Sequence, residues 1–269
     1  MSIKSILLHM APDESRGERL AAAIQLAQRF GAHLRVTYLT SPVGMPAAIT
    51  GRGASAAYVA EAIAVAEERA AAILQEVEAA CDAAGIEWEA EMAEGDHNEE
   101  LAKRSVGADL VVIGESRALL PEDYIGLHRP DELLIRSACP VLIISKGWAD
   151  RPIGTRILVA LRDTHESSRA AHGALPFVTT AERVCALTDG SETSEPMVEW
   201  LRRHVPSAEH ATVDSEGDVG PQILKRAAEM EADLLVMGAY GHSRWRQIVL
   251  GGVTDHVLRE MDLPVLMSH

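Results

Sequence analysis

ADLVVIG at residues 108–114 returns as ADLLVMG at residues 232–238, and this repeat decides the fold. Working outward, CPVLII at 139–144 matches LPVLMS at 263–268 at the same offset of 124 residues. Upstream, GDHNEELAKR at 95–104 matches GDVGPQILKR at 217–226, offset by 122. SILLHM at 5–10 opens the chain as RILVAL at 156–161 opens its second half, offset by 151. The order of segments is the same in both copies, which is the mark of a duplicated unit. The growth of the offset places about 27 additional residues in the first copy, between about 40 and 90.

Each copy reads as strands alternating with helices. Ile6–His9 and Ile157–Ala160 are short apolar runs without strict alternation, as suits strands covered on both faces. Helices are expected at Glu18–Phe30 and Glu166–Leu175, and second strands at His33–Tyr38 and Arg183–Leu187. In the first copy a long helix follows at about 56–83. Val59, Ile63, Ala66, Ala70, Ile73 and Val77 form one apolar stripe along it, and Gly85 stops it. Third strands are expected near Glu87–Met92 and His210–Val213, and fourth strands at Leu110–Ile113 and Leu234–Met237. Fifth strands follow Pro140 and Pro264. The alternation predicts an α/β fold with parallel strands and right-handed crossovers, whose ligands bind beyond the carboxyl ends of the strands. The domains are expected at 1–147 and 153–269, with a seam at Lys146–Thr155.

Composition bounds the function. Of 269 residues, 47% are hydrophobic, enough for substantial cores, but only two are Phe, so Ala, Val, Ile and Leu must fill them. Asp plus Glu number 40 against 25 Lys plus Arg, a net charge of −15. That balance argues against nucleic-acid or anionic-membrane partners while leaving room for one small anion site built from backbone amides. Cys81, Cys139 and Cys185 show no metal or CxxC spacing, and no apolar run approaches a membrane span. A cytoplasmic location is the simplest expectation.

One segment stands out as a candidate site. The strand ending at Met237 runs into GAYGHSRWRQIVLGGVTDHVLRE, where Gly238, Gly241, Gly251 and Gly252 permit sharp turns and close backbone approach. A helix over Val253–Glu260 would offer unpaired amides at its start. Ser243 and Thr254 add hydroxyls; His242, Arg244 and Arg246 add donors or positive charge. Ordinary turn glycines are the competing reading.

This segment resembles the ATP-binding signature of the universal stress protein (UspA) family: Gly, two residues, Gly, nine residues, Gly, then Ser or Thr. Gly238, Gly241 and Gly251 match it, with Gly252 in the hydroxyl position. The resemblance covers essentially the whole chain, once per half. It implies two tandem Rossmann-like (adenine nucleotide alpha hydrolase-like) domains, each a five-stranded parallel sheet in order 3-2-1-4-5 flanked by helices. It also implies an internal pseudo-dimer through the last strands, with a further homodimer an open question. By this likeness Gly238, Gly241, His242, Ser243, Arg244, Gly251, Gly252, Val253 and Thr254 line the phosphate and ribose side of an ATP site, with Mg as the accompanying ion. Ala160, Leu161 and Leu187 lie near the base. Two positions depart from the pattern. Gly252 loses a hydroxyl, and the family's acidic residue after the first strand aligns with Arg162, leaving Asp163 to reach ribose or a metal.

The first half departs further. Gly114 remains, but Arg117 replaces the second Gly, and Leu127, His128 and Pro130 stand in the later loop positions, so no ATP is expected there. Arg117, His128 and Arg129 read either as a site for another anion or as surface charge. His9 reads as a satisfied structural histidine, Cys81 and Cys185 as core, Asp96 and Asp218 as helix N-caps, and Trp148 as a packing anchor in the seam. No Walker loop, GxSxG elbow or zinc spacing occurs. The chain therefore reads as a nucleotide-binding protein of stress response or signalling, with at most slow ATP hydrolysis and no catalytic residue singled out. The alternative is a scaffold or small-ligand module without nucleotide.

Overall fold

The computed structural model describes residues 2–40, 56–115, 130–148, 151–241 and 252–269. The first half contains β1 (Ser5–Met10), α1 (Arg16–Phe30), β2 (His33–Thr40), α2 (Ala56–Ala84), β3 (Trp88–Glu94), α3 (His97–Ser105), β4 (Leu110–Gly114), α4 (Asp131–Arg136) and β5 (Val141–Ile144). The second contains β6 (Arg156–Ala160), α5 (His165–Gly173), α6 (Leu175–Val178), β7 (Arg183–Thr188), α7 (Glu195–His204), β8 (Glu209–Thr212), α8 (Val219–Glu229), β9 (Leu234–Gly238), α9 (Val253–Glu260) and β10 (Val265–Ser268).

The ten strands form one sheet in the order β3-β2-β1-β4-β5-β10-β9-β6-β7-β8. Each half is thus a 3-2-1-4-5 parallel sheet, as the resemblance implies. The halves meet where β5 and β10 pair antiparallel, Leu142 opposite Leu266. The repeated segments that reveal the duplication are central strands: β4 is buried at every position, and so are β5 and β10. Layers of helix cover both faces of such strands, which is why their sequences are apolar without alternation.

The periodic helices appear as read. On α2, the stripe continues as buried Ala70, Ile73, Val77 and Cys81, while the side chains of Val59 and Ile63 lie outside the described residues. Gly85 follows α2 at φ +65°, a left-handed conformation that costs glycine least. Asp96 caps α3 by accepting from the Glu99 amide at 2.9 Å. Asp218 takes the N-cap position of α8 but its carboxylate makes no capping hydrogen bond, so that expectation is only half met. Cys81 and Cys185 are buried. Trp148 is buried in the seam with Arg151 over its ring at 4.9 Å.

A second seam contact escaped the sequence reading. The chain's two phenylalanines, Phe30 of α1 and Phe177 of α6, meet edge to face at 5.2 Å. Arg29 lies against both rings and donates to the carbonyls of Ile153 (2.6 Å) and Gly154 (3.2 Å) and to the Thr180 hydroxyl (2.6 Å).

Candidate functional site

A pocket of about 340 Å³ opens at the carboxyl ends of β6, β7 and β9. Its floor is apolar, made by Ala160, Leu161, Leu187, Val213, Ile223 and Met237. One wall is the chain leaving β9, Gly238 to Gly241, and the start of α9, Gly252 to Asp255. The opposite wall carries Arg162, Thr164, Glu166, Ser167, Thr188 and Asp189. This is where a doubly wound sheet leaves a crevice, because crossovers on either side of the first strand diverge to opposite faces.

Of the residues expected from sequence, Ala160, Leu161, Leu187, Gly238, Gly241, Gly252, Val253 and Thr254 all line this one pocket. His242, Ser243, Arg244 and Gly251 lie outside the described residues, as does Arg246. Asp163 is brought elsewhere. A turn closed by the Thr164 amide on the Arg162 carbonyl (2.8 Å) leaves Asp163 exposed to solvent, and Arg162 takes the lining position.

The glycines serve different ends. A methyl group on Gly238 would lie 2.5 Å from the Ser167 amide nitrogen and 2.7 Å from the Glu166 carbonyl carbon. Gly238 therefore admits the backbone of α5 against β9, a packing duty that exists with or without a ligand. A methyl on Gly241 would lie 3.1 Å from Glu166 Oε2 and 3.4 Å from Thr164 Oγ1. Gly252 has nothing among the described residues within 4 Å of that position and, as the N-cap of α9, supplies no capping side chain. The start of α9 lines the pocket, at the helix end that favours negative charge.

Between the glycines, Tyr240 holds φ +55°, a conformation that a bulky residue keeps only when its surroundings enforce it. The surroundings are visible. The Tyr240 amide donates to the Thr254 hydroxyl at 3.4 Å, and its phenol donates to the Asp131 carboxylate of α4 at 2.6 Å. The loop of the second half is tied in this way to a helix of the first.

Asp189, absent from the sequence expectations, stands at the end of β7. It accepts from Ser191 Oγ (2.6 Å), the Ser191 amide (3.0 Å) and Ser194 Oγ (3.1 Å). The Ser191 and Ser194 hydrogen bonds, with Arg162 nearby, hold its carboxyl below the usual range. The signal was present as the Asp-Gly-Ser turn after a predicted strand, a pattern in which Asp bonds the backbone two residues on.

The first half puts different chemistry in the equivalent corner. A methyl on Gly114 would meet Arg19 Nη1 at 2.5 Å and Ser15 Oγ at 2.8 Å. Arg19 is buried, pairs with Asp13 at 2.7 Å and donates to the His9 carbonyl at 3.1 Å. A cation built into the chain fills the place beside the glycine. Arg117, Leu127, His128 and Arg129 lie outside the described residues, and Pro130 precedes α4. His9 is not fully satisfied among the described residues: Nε2 meets His97 Nδ1 at 3.0 Å, while its own buried Nδ1 has no partner there. Burial first, then Arg19 and His97, pushes its pKa well below the ordinary value of 6.5.

The Universal stress protein family model matches residues 2–145 and 205–269. The chain belongs to the universal stress protein family. The match to this family leaves 146–204 aside, the stretch that carries the β6–β7 wall of the pocket. Among solved structures, a universal stress protein from Archaeoglobus fulgidus DSM 4304 is similar at a TM-score of 0.73 and 18% identity, covering 98% of this chain and 97% of that one. A putative universal stress protein from Pseudomonas aeruginosa UCBPP-PA14 is similar at 0.55 and 20%, covering 99% and 93%. Both likenesses concern the fold. In sequence, Universal stress protein Slr1230 of Synechocystis is 44% identical over 50 residues, 19% of this chain and 17% of that protein. Among the described residues of this universal stress protein no helix is long and apolar enough to cross a membrane, and no group of three or more His, Cys, Asp or Glu is arranged to hold a metal ion.

Proposed function

We propose that the second half binds an adenine nucleotide, ATP foremost, and that the protein serves stress response or signalling as a nucleotide-responsive binding module. One observation supports this reading: Ala160, Leu161, Leu187, Gly238, Gly241, Gly252, Val253 and Thr254 share one pocket of about 340 Å³, with an apolar floor and a helix start that has no side-chain cap. Its volume falls in the range of small-ligand sites. Ala160, Leu161 and Leu187 would pack on the base, and the α9 amides at Gly252, Val253 and Thr254 would meet phosphate oxygens. Mg would arrive with the phosphates, which commonly supply much of its coordination. Any hydrolysis would be slow, since a phosphate loop alone neither positions water nor neutralises the departing charge. No ATP is expected in the first half, where Arg117 and Leu127 replace the glycines and Arg19 packs beside Gly114.

Calorimetric titration with ATP·Mg, ADP and AMP tests the reading, beside Gly241→Arg, which imitates Arg117 of the first half. The expected result is one ATP per chain in the wild type and none in the variant. Absence of binding to the wild type across these ligands would favour the alternative, a scaffold or small-ligand protein without nucleotide.

A further inference from the structure

Glu166 stands at the point of the pocket where an anionic ligand would be received. Its Oε2 faces the Cα of Gly241 closely enough that an added methyl would lie 3.1 Å from it. Its backbone is pressed against Gly238 by the close approach of α5, which fixes where the side chain starts beside the pocket. Thr164 caps that helix, accepting from the Ser167 amide at 3.2 Å, which fixes the first turn carrying Glu166. Of the other charges in the lining, Asp255 bonds Arg259 on its own helix. Glu166 forms no ion pair with the described residues. A carboxylate a few ångströms from a phosphate group repels it, and in a partly enclosed pocket that repulsion is weakly screened.

We infer that Glu166 is a specificity-determining residue that sets the charge class of the ligand: the pocket takes a nucleoside or a charge-compensated nucleotide in preference to a bare triphosphate. The inference rests on the nucleotide reading above and adds a ranking within it. A divalent cation riding on the phosphates offsets the carboxylate, so ATP·Mg is accepted where ATP in chelator is penalised. Adenosine, having no phosphate, is indifferent to Glu166.

The test is calorimetric titration of the full chain with adenosine, AMP, ATP in EDTA and ATP with excess Mg²⁺, for the wild type, Glu166→Gln and Glu166→Asp. Glu166→Gln is expected to tighten metal-free ATP about tenfold, AMP by less, and adenosine by under about twofold. Excess Mg²⁺ or high salt should shrink the ATP gain. Glu166→Asp keeps the charge on the same helical turn and should keep most of the discrimination, and thermal melts of both variants report whether the fold is intact. Equal changes for adenosine and ATP, or no change for ATP, would overturn the ranking while leaving nucleotide binding in place. No binding of any ligand by any of the three proteins would overturn both.

Discussion

At the scale of single residues, glycine identity alone conceals what each glycine does. Gly238 makes room for a helix backbone, whereas Gly252 lines the pocket with no described atom within 4 Å of an added methyl. Gly238→Ala should therefore lower stability by about 1–3 kcal/mol through overpacking, seen as a lower urea midpoint. Gly252→Ser should leave that midpoint unchanged and tighten ATP several-fold, because a hydroxyl beside the α9 amides adds a hydrogen bond without steric cost. His9 offers a different test. Its pKa in the fold lies well below 6.5, so the unfolded chain takes up its proton first. The neutral ring is fully tolerated above about pH 6.5; as pH falls below that value stability drops, by up to about 1.4 kcal/mol per pH unit from this group. Urea unfolding between pH 7.5 and 5.5 should show that slope, reduced in His9→Gln. An unchanged slope in the variant would remove His9 as its source.

Among elements, the notable joints are those between the two halves. Phe30, Phe177 and Arg29 bind α1 to α6 and to the start of β6. Phe177 is fully buried, so Phe177→Ala should cost about 3–5 kcal/mol, measured as a loss in unfolding free energy. Short helices were the elements least legible beforehand. α6 has four residues and begins around Pro176, and α4 has six; neither is long enough to show a period. Long or central elements such as α2 and β4 were read within a residue or two, because burial on a continuous face leaves a pattern in the chain. Asp163 shows the opposite case. Which of two neighbouring residues faces a pocket depends on a tight turn after β6, and apolar patterning says nothing about polar residues in a turn.

Over the whole molecule, one sheet runs through both halves, joined at β5 and β10 by residues that are buried on both strands. The halves should consequently unfold together. Leu266→Ala, at the junction, is expected to cost about 2–5 kcal/mol and to lower a single calorimetric transition rather than split off one of two. Two separate transitions in the wild type would show that the shared sheet does not couple them. The outer edges, β3 and β8, are mostly exposed and carry Glu89, Glu91 and Glu209 paired across to Arg35, Arg104 and Arg183. Charged edges discourage strand-to-strand addition, which keeps a ten-stranded sheet from extending further.

The chain by itself determined the duplication, the parallel α/β halves and the glycine segment of the pocket. These are properties of local pattern: buried strands must be apolar, and repeats keep their order. The 3-2-1-4-5 order and the base-side residues came from the resemblance to the family. Tertiary structure alone decided what faces what. It put Arg162 rather than Asp163 in the lining, brought Glu166 and Asp189 into the pocket, filled the first half's corner with Arg19, and tied Tyr240 to Asp131. Those side chains are polar and scattered, with up to 109 residues between partners. Periodicity records burial and carries no record of which distant polar groups will meet.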